Sequence, residues 1–226
     1  LSDTALLGKD ITAEEASAAA KGSKTCSGCG LDGLPFWIFC SEKSLPQLLA
    51  DCINASRDAG ELPTALTDAR GILLKKNDDD DGLDNYRLIQ ITASSYRIFA
   101  KIINKRLLKV LGSMIGKFQS VFIPGRLIAS NILLTNEALF QAMETGGAVI
   151  GIYFRKAFDS LSRTFLTELI DSLPFPAGFK KFLKLAFSTS LTTVFINDVT
   201  WASFLVHSGV RQGCSLAPSL FTLAAE

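Results

Sequence analysis

The sequence predicts an α+β fold: a mixed sheet with helices packed against one side. Three observations point there. A run of branched aliphatics at 148–154 is followed by two helical stretches, two alternating segments and a last helical stretch. A long amphipathic pattern precedes that run, starting near Thr92 or Ser94 and reaching about Leu111. Hydrophobic residues make up 48% of the 226 and charged residues 20%, which suits a chain with a real core and excludes a disordered one.

The elements follow in order. Thr12 with Glu15 three residues on is a capping-box pattern and starts a helix over about 12–20. A Gly-rich loop follows, then an amphipathic stretch at Leu45–Ala59, broken by Gly60 and Pro63. Residues 71–76 are strand-like and run into Asp78–Asp81, four adjacent like charges that favour a solvated loop over a metal site. In the long helix Ile98, Ile102, Ile103, Leu107, Val110 and Leu111 lie on one face. Arg97, Lys101, Lys105 and Lys109 fall at i,i+4 spacings on another, where like charges cost about 0.2–0.5 kcal/mol per pair. That row suits a surface facing phosphates, and equally a solvated face. A helix is expected over about 127–145, stopped by Gly146-Gly147, and then a buried strand at Ala148–Phe154. Helices at about Arg163–Ser172 and Ala177–Ser188 follow. Thr192–Asn197 and Trp201–Val206 form a hairpin around Asp198, Gly209–Gly213 is a loop, and a helix starts near Pro218.

Charge is unevenly spread. Residues 1–86 carry 8 Lys+Arg against 15 Asp+Glu, and residues 87–226 carry 15 against 7. The basic part suits a polyanionic partner, because cations near phosphates release condensed counterions; an acidic segment docked on a basic body explains the same numbers. Cys26 and Cys29 have half of a zinc spacing, with no second close pair after them, so the five cysteines read as reduced thiols of an intracellular protein. The single histidine, His207, sits in a strand pattern and excludes a Ser-His-Asp or Cys-His catalyst. Apolar runs are far shorter than the ~18 residues needed to cross a bilayer, so no membrane span is expected.

Five local sequences then carry a resemblance. Phe154-Arg155-Lys156-Ala157-Phe158-Asp159 resembles the Asp-Phe-x-Lys-Ala-Phe-Asp strand of reverse transcriptases. The run from Gly209 through Arg211, Gln212, Gly213 and Cys214 to Pro218 resembles their Gly-Val-Arg-Gln-Gly-Cys-Pro-Leu-Ser-Pro loop. Gln119–Arg126, Tyr86–Ile89 and Gly30–Pro35 are similar to three further boxes, in the family's order and spacing from about Ile11 onward. Among these enzymes, those of non-LTR (LINE-like) retroelements are most similar; group II intron and telomerase-type relatives are more distant.

The resemblance implies a right-hand polymerase. Residues 1–70 would be an N-terminal extension and the start of the fingers, 71–146 the fingers, and 147–226 a partial palm. It implies RNA-directed DNA synthesis with RNA template and DNA primer as partners, and Mg²⁺ as cofactor. Lys75 or Lys76, with Arg87, would grip the incoming triphosphate, Arg87 being able to fork onto phosphate oxygens. Phe158 would crowd a ribose 2′-hydroxyl. Gln212 and Gly213 would lie along the nascent base pair, and Arg97, Lys101, Lys105, Lys109, Arg126 and Arg211 would contact nucleic acid. Each has an ordinary reading too: Phe158 as core, Arg87 as a surface cation, Gly213 as a turn.

The departures fall on the chemistry. Tyr153 stands where the family has its metal-binding Asp, and a phenol is a poor Mg²⁺ ligand because Mg²⁺ prefers hard carboxylate oxygens. Asp159 matches a different position. The Asp-Asp box would come after Glu226, so the segment reads as a piece lacking the rest of the palm, the thumb and the endonuclease, starting at Leu1 and stopping inside a helical pattern. Loss of catalysis is the expectation, with an intracellular location in nucleus or cytoplasm. The alternatives are a non-catalytic nucleic-acid-binding remnant or a relative of the group II intron-type reverse transcriptases.

Overall fold

The computed structural model describes residues 6–76, 82, 85–197 and 199–226. Asp78–Asp81 and Asp198, expected in a solvated loop and a hairpin turn, lie outside the described residues. Helix α1 (Ala13–Lys21) starts at the capping box, where Thr12 N donates to Glu15 Oε2 at 3.2 Å and Glu15 N donates to Thr12 Oγ1 at 3.3 Å. The short α2 (Ile38–Ser41), then α3 (Leu45–Ala59) and the short α4 (Thr64–Thr67) follow.

Strands β1 (Ala69–Lys75) and β2 (Tyr86–Thr92) form an antiparallel pair. Helix α5 (Ser94–Met114) leaves β2, and its expected apolar set is buried, with Ile98, Ile103, Leu107 and Leu111 at 0% exposure; Phe99, outside that set, is equally buried. Burying each such side chain contributes about 1.5–3 kcal/mol. Next come α6 (Ile128–Thr145), a one-turn α7 (Ala157–Ser160), α8 (Arg163–Ser172) and α9 (Ala177–Leu185). Strands β3 (Ser190–Ile196) and β4 (Val199–Val206) and helix α10 (Ala217–Ala225) complete the order.

The sheet is mixed, in the order β2-β1-β3-β4, with β1 and β3 parallel and both outer pairs antiparallel. Its inner strands alternate, burying Ala69 and Gly71 on β1 and Ser190, Thr192 and Val194 on β3. One hydrophobic cluster runs from Leu7 through α5 to Leu223. The predicted α+β class is therefore observed, although β2 is a strand that the sequence pattern does not announce.

One predicted element is not formed. Ala148–Phe154, expected as a buried strand, is irregular and exposed, with Ile150 at 85%, Ile152 at 81% and Tyr153 at 88%. A strand holds only when its N–H and C=O groups meet a neighbour. The described sheet edges are β2 and β4, and neither pairs with these residues. The preceding α6 shares the exposure: none of its residues is buried, and Leu133, Phe140 and Met143 face solvent.

The N-terminal segment is fastened to α5 by that helix's own cations. Arg106 is buried and holds Glu15 through two bonds, Nε to Oε1 at 2.9 Å and Nη2 to Oε2 at 2.6 Å. It also donates to the carbonyls of Leu7, Lys9 and Asp10. Burial pushes the Glu15 carboxyl up, but the Arg106 hydrogen bonds and charge, the Thr12 N–H and the Lys109 charge outweigh it and hold it below the usual glutamate value. A carboxyl with a lowered folded value stabilises the fold above the unfolded value, about 4.5, and loses that contribution as pH falls through the lowered one. Glu15→Gln is therefore expected to cost about 1–3 kcal/mol at pH 7 and less in acid; urea unfolding at pH 7 and pH 3 measures both.

Candidate functional site

A cavity of about 1150 Å³ opens between β2, the 153–159 segment, the end of β4 and the start of α10. Six of the sequence-predicted site residues line it: Lys76, Arg87, Tyr153, Phe158, Gln212 and Gly213. Arg155, Lys156 and Asp159, which were given no role in the nucleotide site, line it as well. All three belong to the motif that suggested the site, so the signal for them was present.

The ladder separates the two candidate lysines. Leu74 pairs with Arg87, so side-chain alternation puts Lys76 on Arg87's face and Lys75 on the other. Lys76 lines the cavity and Lys75 does not. The Lys76 N–H donates to Asn85 O at 2.9 Å, tying the end of β1 to the start of β2.

Opposite this ladder, two loops are zipped together. Val210 N donates to Phe158 O at 2.9 Å, Gly209 N to Leu161 O at 2.8 Å, and Ser208 Oγ to Asp159 O at 3.2 Å. Gly209 has φ +75, and a Cβ there would stand 2.6 Å from Phe158 O, so only glycine lets the loops approach this closely. Gly213, at φ +101, turns the chain out of the loop, and Gln90 N reaches Gln212 O at 3.4 Å. Phe158 is half-buried, its ring packed on Phe221 at 5.1 Å. Gln212 Nε2 donates to both oxygens of Asp159, at 2.9 and 2.8 Å.

The remaining predicted residues lie elsewhere. Arg97 donates to Gly28 O at 2.7 Å and stacks on Phe36, and Lys101 donates to Gly22 O at 2.6 Å. Partial burial lowers the pKa of both. Lys105 and Lys109 of the same row are exposed. Arg126 donates to the carbonyls of Gly112, Ile115, Gly116 and Gln119, closing the open end of α5. Arg211 is buried, its guanidinium 4.4 Å over the Tyr96 ring and one Nη bonded to Ser188 O.

Residues 74–226, which include every wall of the cavity, match the family described as reverse transcriptase (RNA-dependent DNA polymerase). The chain belongs to the reverse transcriptase family. Across 96% of its length it is 33% identical to the transposon TX1 uncharacterized 149 kDa protein of Xenopus laevis. Over the same share it is 27% identical to the retrovirus-related Pol polyprotein from the type-1 retrotransposable element R2 of Popillia japonica. Both are proteins of non-LTR retrotransposons, as the motifs implied. The chain spans 17% and 30% of these two relatives.

Divalent metal ions serve reverse transcriptases generally, and the donor set of this cavity does not fit a pair of them. Among the described residues its wall carries four cations, Lys76, Arg87, Arg155 and Lys156, against one carboxylate, Asp159. That carboxylate is occupied by Gln212, and the exposed Tyr153 offers a phenol, a poor Mg²⁺ ligand. Among the described residues no three His, Cys, Asp or Glu converge. What the reverse transcriptase cavity suits is an anion with several oxygens. No described helix is long and apolar enough to cross a membrane.

Gly209→Ala tests the loop junction. The added methyl meets backbone at a left-handed φ, so a loss of about 1–3 kcal/mol is expected in denaturant unfolding, with Gly125→Ala, whose Cβ meets nothing within 4 Å, as the control for φ alone.

Proposed function

We propose that this chain is the nucleotide-holding part of an RNA-directed DNA polymerase domain from a non-LTR retroelement, and that with its present sequence it binds a nucleoside triphosphate without polymerising. The observation that carries this reading is the charge of the cavity wall, where the described residues supply four cations and one carboxylate engaged by Gln212. Cations bind phosphate oxygens without a metal, whereas two-metal phosphoryl transfer needs carboxylates to seat the ions. Arg87 and Lys76 grip the triphosphate, Phe158 lies against the sugar, and Gln212 with Gly213 lines the base-pair side. Residues up to about 146 act as fingers and 147–226 as part of the palm.

RNA template and DNA primer are the partners of the intact domain. Lys105 and Lys109, exposed on α5, are free to meet their phosphates, while Arg97, Lys101 and Arg126 stabilise the fold that presents them. A purely nucleic-acid-binding role would use the same exposed lysines and leave the cavity idle.

Primer extension on an RNA template, run beside triphosphate binding, tests the reading. The chain is expected to give no Mg²⁺-dependent product and to bind dTTP, with Arg87→Ala weakening binding about 10- to 100-fold, the worth of a charged hydrogen bond. Template-dependent synthesis, or binding indifferent to Arg87, contradicts it.

A further inference from the structure

The cavity's one acid has no role in the site as derived so far. Asp159 follows Phe158 on the short α7, and both of its carboxylate oxygens face the Gln212 amide nitrogen, at 2.9 and 2.8 Å. A carboxylate only accepts hydrogen bonds, and a glutamine amide has one donor end and one acceptor end. The pairing therefore settles which end of Gln212 is spent. Its NH₂ goes to Asp159, and Oε1 is the atom left to face a ligand.

Backbone contacts keep the two side chains in reach. Val210 N on Phe158 O and Ser208 Oγ on Asp159 O clamp the loop of Gln212 to the turn of Asp159 on either side of Gly209. That clamp holds the loop of Gln212 beside Asp159, and the carboxylate is the partner that the Gln212 amide nitrogen meets there.

We propose that Asp159 is a positioning residue: it makes Gln212 a hydrogen-bond acceptor toward the bound nucleotide, so that the site selects a ligand presenting a donor there. This rests on the nucleotide reading above. Asp159 touches no reacting atom; it acts through Gln212. The donor is either a sugar hydroxyl or a base N–H, and dTTP carries one of each in its nucleoside, the 3′-hydroxyl and N3–H.

The test uses the full chain and Asp159→Asn, which keeps size and shape but offers its own NH₂ and so permits the opposite amide orientation. In the ligand-free protein the ¹⁵N–¹H side-chain signals of Gln212, assigned by their loss in Gln212→Met, are expected to move in Asp159→Asn. Affinities are then compared for dTTP, its 3′-fluoro analogue and its N3-methyl analogue. The wild type is expected to bind one analogue about fivefold more weakly than dTTP, the worth of one hydrogen bond near 1 kcal/mol, and that analogue names the donor. In Asp159→Asn the gap is expected to close while dTTP itself still binds. Unmoved Gln212 signals, a gap the variant retains, or equal binding of all three by the wild type overturns the proposal. Should the wild type bind none of them, the nucleotide reading fails by itself, and the Gln212 signals still decide whether Asp159 sets the amide.

Discussion

The N-terminal segment, the loop through Arg126 and the loop bearing Gln212 are all fastened to one buried helix, Ser94–Met114. Most of its faces are buried, with Lys105 and Lys109 left exposed, and its other cations serve as ties. Arg106 collects Glu15 and three carbonyls of the N-terminal segment; Lys101 and Arg97 take carbonyls further along it. Arg126 returns to the end of the helix and donates to the carbonyls of Gly112, Ile115, Gly116 and Gln119 there. At the first turn Tyr96 donates to Ala186 O and supports Arg211 from below. The loop bearing Gln212 thus rests on the same helix that anchors the N-terminus.

Local pattern was enough wherever local physics decides. The capping box at Thr12 and Glu15, the limits of Leu45–Ala59 and Arg163–Ser172, and the apolar face of Ser94–Met114 were all readable from residue spacing. Partner-dependent features were not. The aliphatic run at 148–154 carries strand-forming residues, but a strand also needs an adjacent edge, and the described sheet offers none there. The charged row on the long helix looked like a surface for phosphates because spacing reveals a shared face and not what covers it. Two of its four cations turned out to face carbonyls from residues more than 60 positions away. In the site, Gln212 and Gly213 were legible through motif likeness, whereas the role of Asp159 depends on a contact 53 residues distant.

Tyr153 joins the fold question to the functional one. A palm-like strand through it would have supported the motif alignment from geometry; the segment is instead exposed beside the cavity. Family membership stands on separate ground, the match over residues 74–226 and the similarity across 96% of the chain to two retrotransposon proteins. The geometry adds that the matched motifs converge. Boxes separated by more than 120 residues in sequence, around Arg87 and Gln212, meet across one cavity. Among the described residues the wall there carries more cations than acids, and Tyr153, which the motif resemblance would align with a metal-binding Asp, is aromatic.

The central claim is that basic side chains, and not metal ions, hold a triphosphate in this cavity. Calorimetric titration of dTTP into the chain, in EDTA and again in excess Mg²⁺ at matched ionic strength, tests it most directly. The account predicts binding in EDTA that Mg²⁺ leaves equal or weaker, since the metal neutralises phosphate charge that the lysines and arginines would otherwise meet. Binding that appears only with Mg²⁺, or tightens markedly with it, would contradict the account.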